Sequence, residues 1–301
     1  MNQYDKDALD RFQESGRILR ETREELKGYV QENMRVIDVC EHAEQIIRKK
    51  GGKPAFPCNV SIDEIAAHYT SPPNDEKRIP EKSVVKVDIG AHVDGYVTDT
   101  AVTVCFNPEH RSMVETAEIA LKAAVENIRP DMSTSKLGAI IEKTIKSRGF
   151  KPISNLTGHQ VGRFLVHAGT SLPNVSHVFS STIRLGGVYA IEPFVTVKDA
   201  AGRVEDEKKS TIFRFAKSRS QKNPHAKQLL RYIEANFRSL PFAERWLQHV
   251  VPDEQYGEAF SELLRSKAIM DYPVFVEASR KPVAQAEHTV VIVKDGCEVL
   301  T

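Results

Sequence analysis

The chain repeats itself at one fixed spacing. Met34 corresponds to Met132, Gly51 to Gly149, Lys53 to Lys151 and Pro54 to Pro152, each pair 98 residues apart. The matches fall at equivalent points of one pattern: helix, helix, glycine stop, extended segment. In the first copy an apolar stripe (Leu9, Phe12, Leu19, Leu26, Val30) is followed by a second helix over about 36–50. In the second copy, helical patterns over 113–128 and 135–148 repeat the arrangement, with Gly149 as the stop. Single matches arise by chance, but four at one offset point to duplication. The sequence predicts an α/β (α+β) fold of two pseudo-symmetric helix-helix-strand halves with a cleft between their sheets.

Strand patterns fall at 84–90, 96–106, 188–197 and 283–293. Between the last two the character changes. One helical face carries Ala226, Leu229, Leu230, Ile233 and Phe237, and a second carries Phe242, Trp246, Leu247 and Val250. Residues 205–277 therefore read as a small helical insertion, winged-helix-like, and 1–204 with 278–301 as the domain that receives it.

Acidic residues interrupt the strands. An Asp94-Gly95 turn makes 84–104 a hairpin in which Asp88 faces Ala101. Asp99 then lies two residues from Ala101, so the two carboxylates are diagonal neighbours on one face. Like charges so placed repel, and a bound cation removes the conflict. Glu192 in "VYAIEPFVTV" and Glu287 in "VAQAEHTVVIV" sit within two further apolar strands, and "NLTGHQVGRFLVHAGT" adds His159 and His167. Each alone is ordinary: a strand-end acid, half of a salt bridge, a hydrogen-bonded core histidine. Together they are ligands for divalent transition metals, and bridging carboxylates favour two ions. The chemistry implied is hydrolysis by a metal-activated water.

Composition excludes little but agrees. The formal net charge of +1 argues neither for nor against nucleic acid or membrane. No apolar run has the length of a membrane span, and the charged amphipathic N-terminus is not a signal peptide. Four scattered cysteines (Cys40, Cys58, Cys105, Cys297) suit reduced thiols and a cytoplasmic protein.

Taken in order, "AAHYT", "VDIG", "VTDTA", "TGHQVG", "VHAG", "AIEPF" and "AQAEHT" resemble the methionine aminopeptidases, and "LPFAERWL" within the insertion resembles their type II, archaeal-like branch. The resemblance implies the two-halved pita-bread fold and two divalent ions (cobalt, manganese, iron, zinc or nickel). It implies that Asp88 chelates one ion, Asp99 and Glu287 bridge both, and His159 and Glu192 bind the second. Glu192 would also shuttle the proton of the attacking water. His68 and His167 would hold the scissile amide and stabilise the tetrahedral intermediate. Phe56, Leu156 and Tyr272 match positions lining the methionine pocket, or are plain core. One departure is Ala286, where the family usually has phenylalanine; a second oddity is Cys58 beside the pocket segment.

The expected function is removal of the initiator methionine from nascent proteins, with small second residues preferred, by a monomer. An X-Pro dipeptidase or aminopeptidase P shares the ligands but generally carries an extra N-terminal domain. A non-catalytic pita-bread binding protein would have lost ligands. Over 208–231 there are eight basic residues and no acidic one, a solvated face or a contact with ribosomal RNA. The helical insertion is read as a lid on the pocket, not a DNA-binding module.

Overall fold

The computed structural model describes residues 4–301. Helices α1 (Lys6–Tyr29) and α2 (Val36–Lys49) lead into β1 (Lys53–Ile62), β2 (Ile65–Ala67) and a hairpin of β3 (Val84–Val93) and β4 (Tyr96–Cys105). Helices α3 (Arg111–Asn127) and α4 (Thr134–Ser147) then lead into β5 (Lys151–Pro152), β6 (Thr157–Gln160), β7 (Ser171–Pro173), β8 (Val188–Ile191) and β9 (Phe194–Thr196). After β10 (Val204–Phe215) come α5 (Pro224–Phe237), β11 (Pro241–Ala243), α6 (Asp253–Arg265) and β12 (Ile269–Glu277). The chain closes with β13 (Val283–Gln285), β14 (His288–Val293) and β15 (Gly296–Val299).

The repeat is visible in the helix boundaries. α1 and α3 end at residues 29 and 127, and α2 and α4 span 36–49 and 134–147, so the offset of 98 holds at every one of these ends. Gly51 and Gly149 both take a left-handed φ, +92° and +85°, which costs glycine nothing and ends each helix sharply. Each half has its own core. α1 and α2 pack Leu19, Leu26, Val39 and Ile47 against Val60, Val85 and Val87, whereas α3 and α4 pack Met113, Leu121, Leu137 and Ile141 against Ile191, Val195 and Val290. A third cluster, from Phe213 to Ile269, belongs to the segment between β10 and β12.

The hairpin has the expected register, with Val93 opposite Tyr96 and Asp88 opposite Ala101. Two expectations need correction. Glu192 and Glu287 do not sit inside strands: each falls in the gap between two short ones, β8 and β9, and β13 and β14. β8 pairs with β14 in a five-stranded sheet, and β9 with β13 in a three-stranded one, so both glutamates lie where the paired strands pass from one sheet to the next. An apolar run conceals such a break because the residues on both sides of it are buried alike. Phe242 to Val250 is not a helix but β11 followed by a single 3₁₀ turn, Glu244–Trp246; the second helix of the insertion is α6. Aromatic spacing alone does not separate one turn from a helix. Moreover, the insertion's four-stranded sheet, in the order β11-β10-β12-β2, takes in β2 of the first half. Among the described residues, no helix is long and apolar enough to cross a membrane.

Candidate metal centre

Nine of the ten residues singled out from sequence line one pocket: Phe56, His68, Asp88, Asp99, Leu156, His159, His167, Glu192 and Tyr272. The tenth, Glu287, joins Asp99 and His159 in a buried group whose ligand atoms all lie within 4.8 Å of one another. His159 Nε2 is 3.3 Å from Glu192 Oε1 and 3.6 Å from Asp99 Oδ2. Each element contributes for a local reason. β3 and β4 bring the two aspartates onto one face, β6 holds His159 opposite Ala190 of β8, and the paired strand breaks present the glutamates.

The electrostatics are those of a cation site. Among the described residues, no lysine or arginine forms an ion pair with Asp88, Asp99, Glu192 or Glu287. One oxygen each of Asp88, Asp99 and Glu287 is buried with no hydrogen-bond partner, which an ordinary core does not tolerate. Burial raises all four carboxyls: Asp88 to about 7, and Asp99, Glu192 and Glu287 well above the usual range, with mutual repulsion adding to the last three. Burial also lowers His159, keeping its imidazole neutral and able to ligate. Four acids and a neutral imidazole with unpaired buried oxygens fit divalent transition ions.

The two halves are stitched together beside these carboxylates by threonine hydroxyls. Thr289 Oγ1 accepts from Asp99 N and donates to Asp99 O, both at 2.7 Å. Thr100 Oγ1 donates to Glu287 O at 2.8 Å and accepts from Arg23 Nη1 at 2.9 Å. Farther along, Thr103 bonds both backbone groups of Gln285. Replacing Thr289 by valine is expected to weaken metal binding by roughly 10-fold, the usual scale for a group that orients a ligand. Calorimetric titration with manganese reads this, with Thr103→Val as the comparison; equal affinities in the two variants would count against it.

Around the centre, His68 takes a left-handed φ of +65°, and its Nδ1 lies 3.3 Å from the carbonyl oxygen of Pro273. Burial depresses it to about 4. The His167 ring lies 4.3 Å from that of His159 and is likewise shifted down by burial. Sequence reasoning missed Asn59, Asn155, Phe194, Ile212 and Phe275, which also line the pocket. Asn59 faces Asp88 across β1 and β3, and Ile212 faces Tyr272 across β10 and β12, so only strand register discloses them. Ala286 lines not this pocket but a groove with Ala101, Leu121, Val125 and Val299 that Glu287 also borders. Cys58 is buried, and burial pushes its thiol up.

Buried carboxylates and an imidazole between the two halves of such a fold define a metallohydrolase. Residues 10–219 match the model of metallopeptidase family M24. The methionine aminopeptidase of Methanothermobacter thermautotrophicus is 40% identical over 296 residues, covering 97% of this chain and 98% of its own. A solved thermophilic Arx1 shares the fold at TM-score 0.84 and 17% identity, covering 98% of this chain and 91% of that one. The methionine aminopeptidase of Thermotoga maritima does so at 0.72 and 21%, covering 99% and 98%. The chain belongs to metallopeptidase family M24, on its methionine aminopeptidase branch.

Proposed function

We propose that this protein is a metal-dependent aminopeptidase that removes the initiator methionine from nascent chains, with small second residues preferred. The observation that carries the reading is the buried carboxylate–imidazole cluster opening into an apolar, aromatic-walled slot. Asp88, Asp99, His159, Glu192 and Glu287 would hold two divalent ions. Such ions would polarise a scissile carbonyl and lower the pKa of a bound water towards about 7. The chain's own side chains do the rest. Glu192, raised by burial, can keep a proton at its carboxylate and deliver it to the departing amine. His68, with Nδ1 turned to the Pro273 carbonyl, presents Nε2 to the substrate's amide N–H. His167, kept neutral, can donate to the oxygen on which charge develops.

Phe56, Leu156 and Tyr272, with Phe194 and Phe275, form the walls of the slot. An unbranched, polarisable thioether suits aromatic walls of this kind. The test is release from Met-Ala-Ser, Met-Leu-Ser and Ala-Pro by metal-stripped protein and after manganese or cobalt is restored. Metal-dependent cleavage of Met-Ala-Ser alone is expected; cleavage of Ala-Pro instead would transfer the protein to the proline-specific relatives.

The reading extends to a cytoplasmic monomer that meets its substrates at the ribosome. Of the eight basic residues in 208–231, seven are exposed (Lys208, Lys209, Lys217, Arg219, Lys222, Lys227, Arg231) and Arg214 is half-buried. A face with this many exposed cations suits the phosphate backbone of ribosomal RNA.

A further inference from the structure

The "ERW" of the insertion contains a buried ion pair that plays no part in the chemistry above. The Glu44 carboxylate, on α2, is 3% exposed, and the Arg245 guanidinium 4%. Glu44 Oε1 accepts from Arg245 Nη2 and, at 3.1 Å, from the backbone N–H of Cys58. Its other oxygen accepts from Trp246 Nε1 at 2.7 Å. One carboxylate thus ties together α2, β1 and the turn after β11.

Its hold on Cys58 has a structural reason. The β1–β3 register passes from Phe56 opposite Gly90 to Asn59 opposite Asp88, which leaves Pro57 and Cys58 bulged out of the ladder. Bulges re-aim neighbouring side chains. Here the re-aimed neighbours are Phe56 and Asn59, both in the pocket wall. The Cys58 N–H takes the Glu44 carboxylate, and the Cys58 carbonyl accepts from Thr70 Oγ1 at 2.7 Å. On the other side of the clasp, the strand before Arg245 contributes Pro241 to the wall, and Ala243 pairs with the lining residue Ile212. Glu44 therefore links two stretches of the slot's wall, one from β1 and one from β11.

We infer that Glu44, Arg245 and Trp246 form a positioning clasp that sets the width of the apolar slot, and with it the preference for methionine over branched side chains. The inference rests on the aminopeptidase reading. Two of the three Arg245 nitrogens, Nε and Nη1, are buried without a partner. Such a buried pair adds little net stability, so its role lies in how it places the strands it joins.

The test uses Glu44→Gln and the double variant Glu44→Gln/Arg245→Met, which removes both buried charges at similar volume and so folds even where the single variant does not. Trp246 is the chain's one tryptophan, so its emission reports directly whether the clasp has opened. In the double variant, KM for Met-Ala-Ser is expected to rise roughly 10-fold with kcat little changed. The preference for Met-Ala-Ser over Leu-Ala-Ser should fall by about 10-fold, the scale on which apolar pockets discriminate. Manganese affinity should be that of the wild type. A stable double variant with wild-type preference overturns the clasp. A wild-type protein that releases no methionine overturns the aminopeptidase reading instead.

Discussion

Replacing Asp99 by asparagine is expected to cost at least roughly 1,000-fold in methionine release at saturating manganese, and at the same time to stabilise the metal-stripped protein. The loss of activity follows from position. Asp99 is one of three residues whose ligand atoms converge within 4.8 Å, and its Oδ2 faces His159 Nε2 at 3.6 Å. An amide has no charge with which to hold a cation there, and the Lewis-acid contribution at stake is several kcal/mol. Three decades of rate correspond to about 4 kcal/mol. The gain in stability follows from the same crowding. Without metal, Asp99 is opposed by Asp88 and Glu192 as well as by its own desolvation. Asparagine is neutral folded and unfolded, so the folded chain no longer bears the cost of the raised carboxyl at neutral pH, roughly 1–2 kcal/mol, which for a chain of this size is a few degrees in Tm. Calorimetry of the stripped proteins and peptide assays of the loaded ones read the two effects. A variant that keeps its activity, or melts below the stripped wild type, contradicts the centre described here.

The second large effect is the pH dependence of metal stabilisation. All four carboxyls are raised in the folded chain, Asp88 to about 7. A raised carboxyl binds more protons folded than unfolded, so its contribution to stability falls as pH rises from the unfolded value towards the folded one. Other groups carry the opposite sign. His68, His92 and His288, lowered to about 4, increasingly favour the folded state as pH rises from about 4 to about 6.5, and the buried Lys86, lowered to about 7, does so from about 7 upwards. The readable quantity is therefore the difference in Tm between loaded and stripped protein, in which shifts away from the centre cancel. That difference is expected to widen steadily between about pH 6 and 8. Metal binding at pH 7 should release protons, visible as a binding enthalpy that depends on the buffer. A difference flat in pH, or proton uptake, would mean that the acids are already ionised and paired otherwise.

Much of this was legible from local chemistry. The Asp94-Gly95 turn fixed the hairpin register, because a two-residue loop allows one pairing, and that alone placed Asp88 and Asp99 side by side. The glycine stops gave the helix ends of both halves. Of the gaps that hold Glu192 and Glu287, the first was marked by Pro193, which cannot donate to a ladder, whereas the second was not legible, since no proline or glycine interrupts 283–293. Nor was the turn of Glu244–Trp246, whose ring contacts imitate a helical face. Cys58 gave no sign that its backbone N–H would need Glu44, 14 residues earlier in the chain.

The sequence by itself determined the duplication and supplied the candidate ligands and the chemistry they imply, because these depend on residue type and short spacing. The tertiary structure decided how the halves meet: threonine hydroxyls of one bond the backbone of the other beside Asp99 and Glu287. It also decided that Ile212, Pro241, Tyr272 and Phe275, from β10, β11 and β12, build a wall of the slot. Those contacts join residues as much as 190 positions apart. Their partners are chosen by sheet register and by the need to satisfy buried polar groups, and neither is written in any local window of the chain.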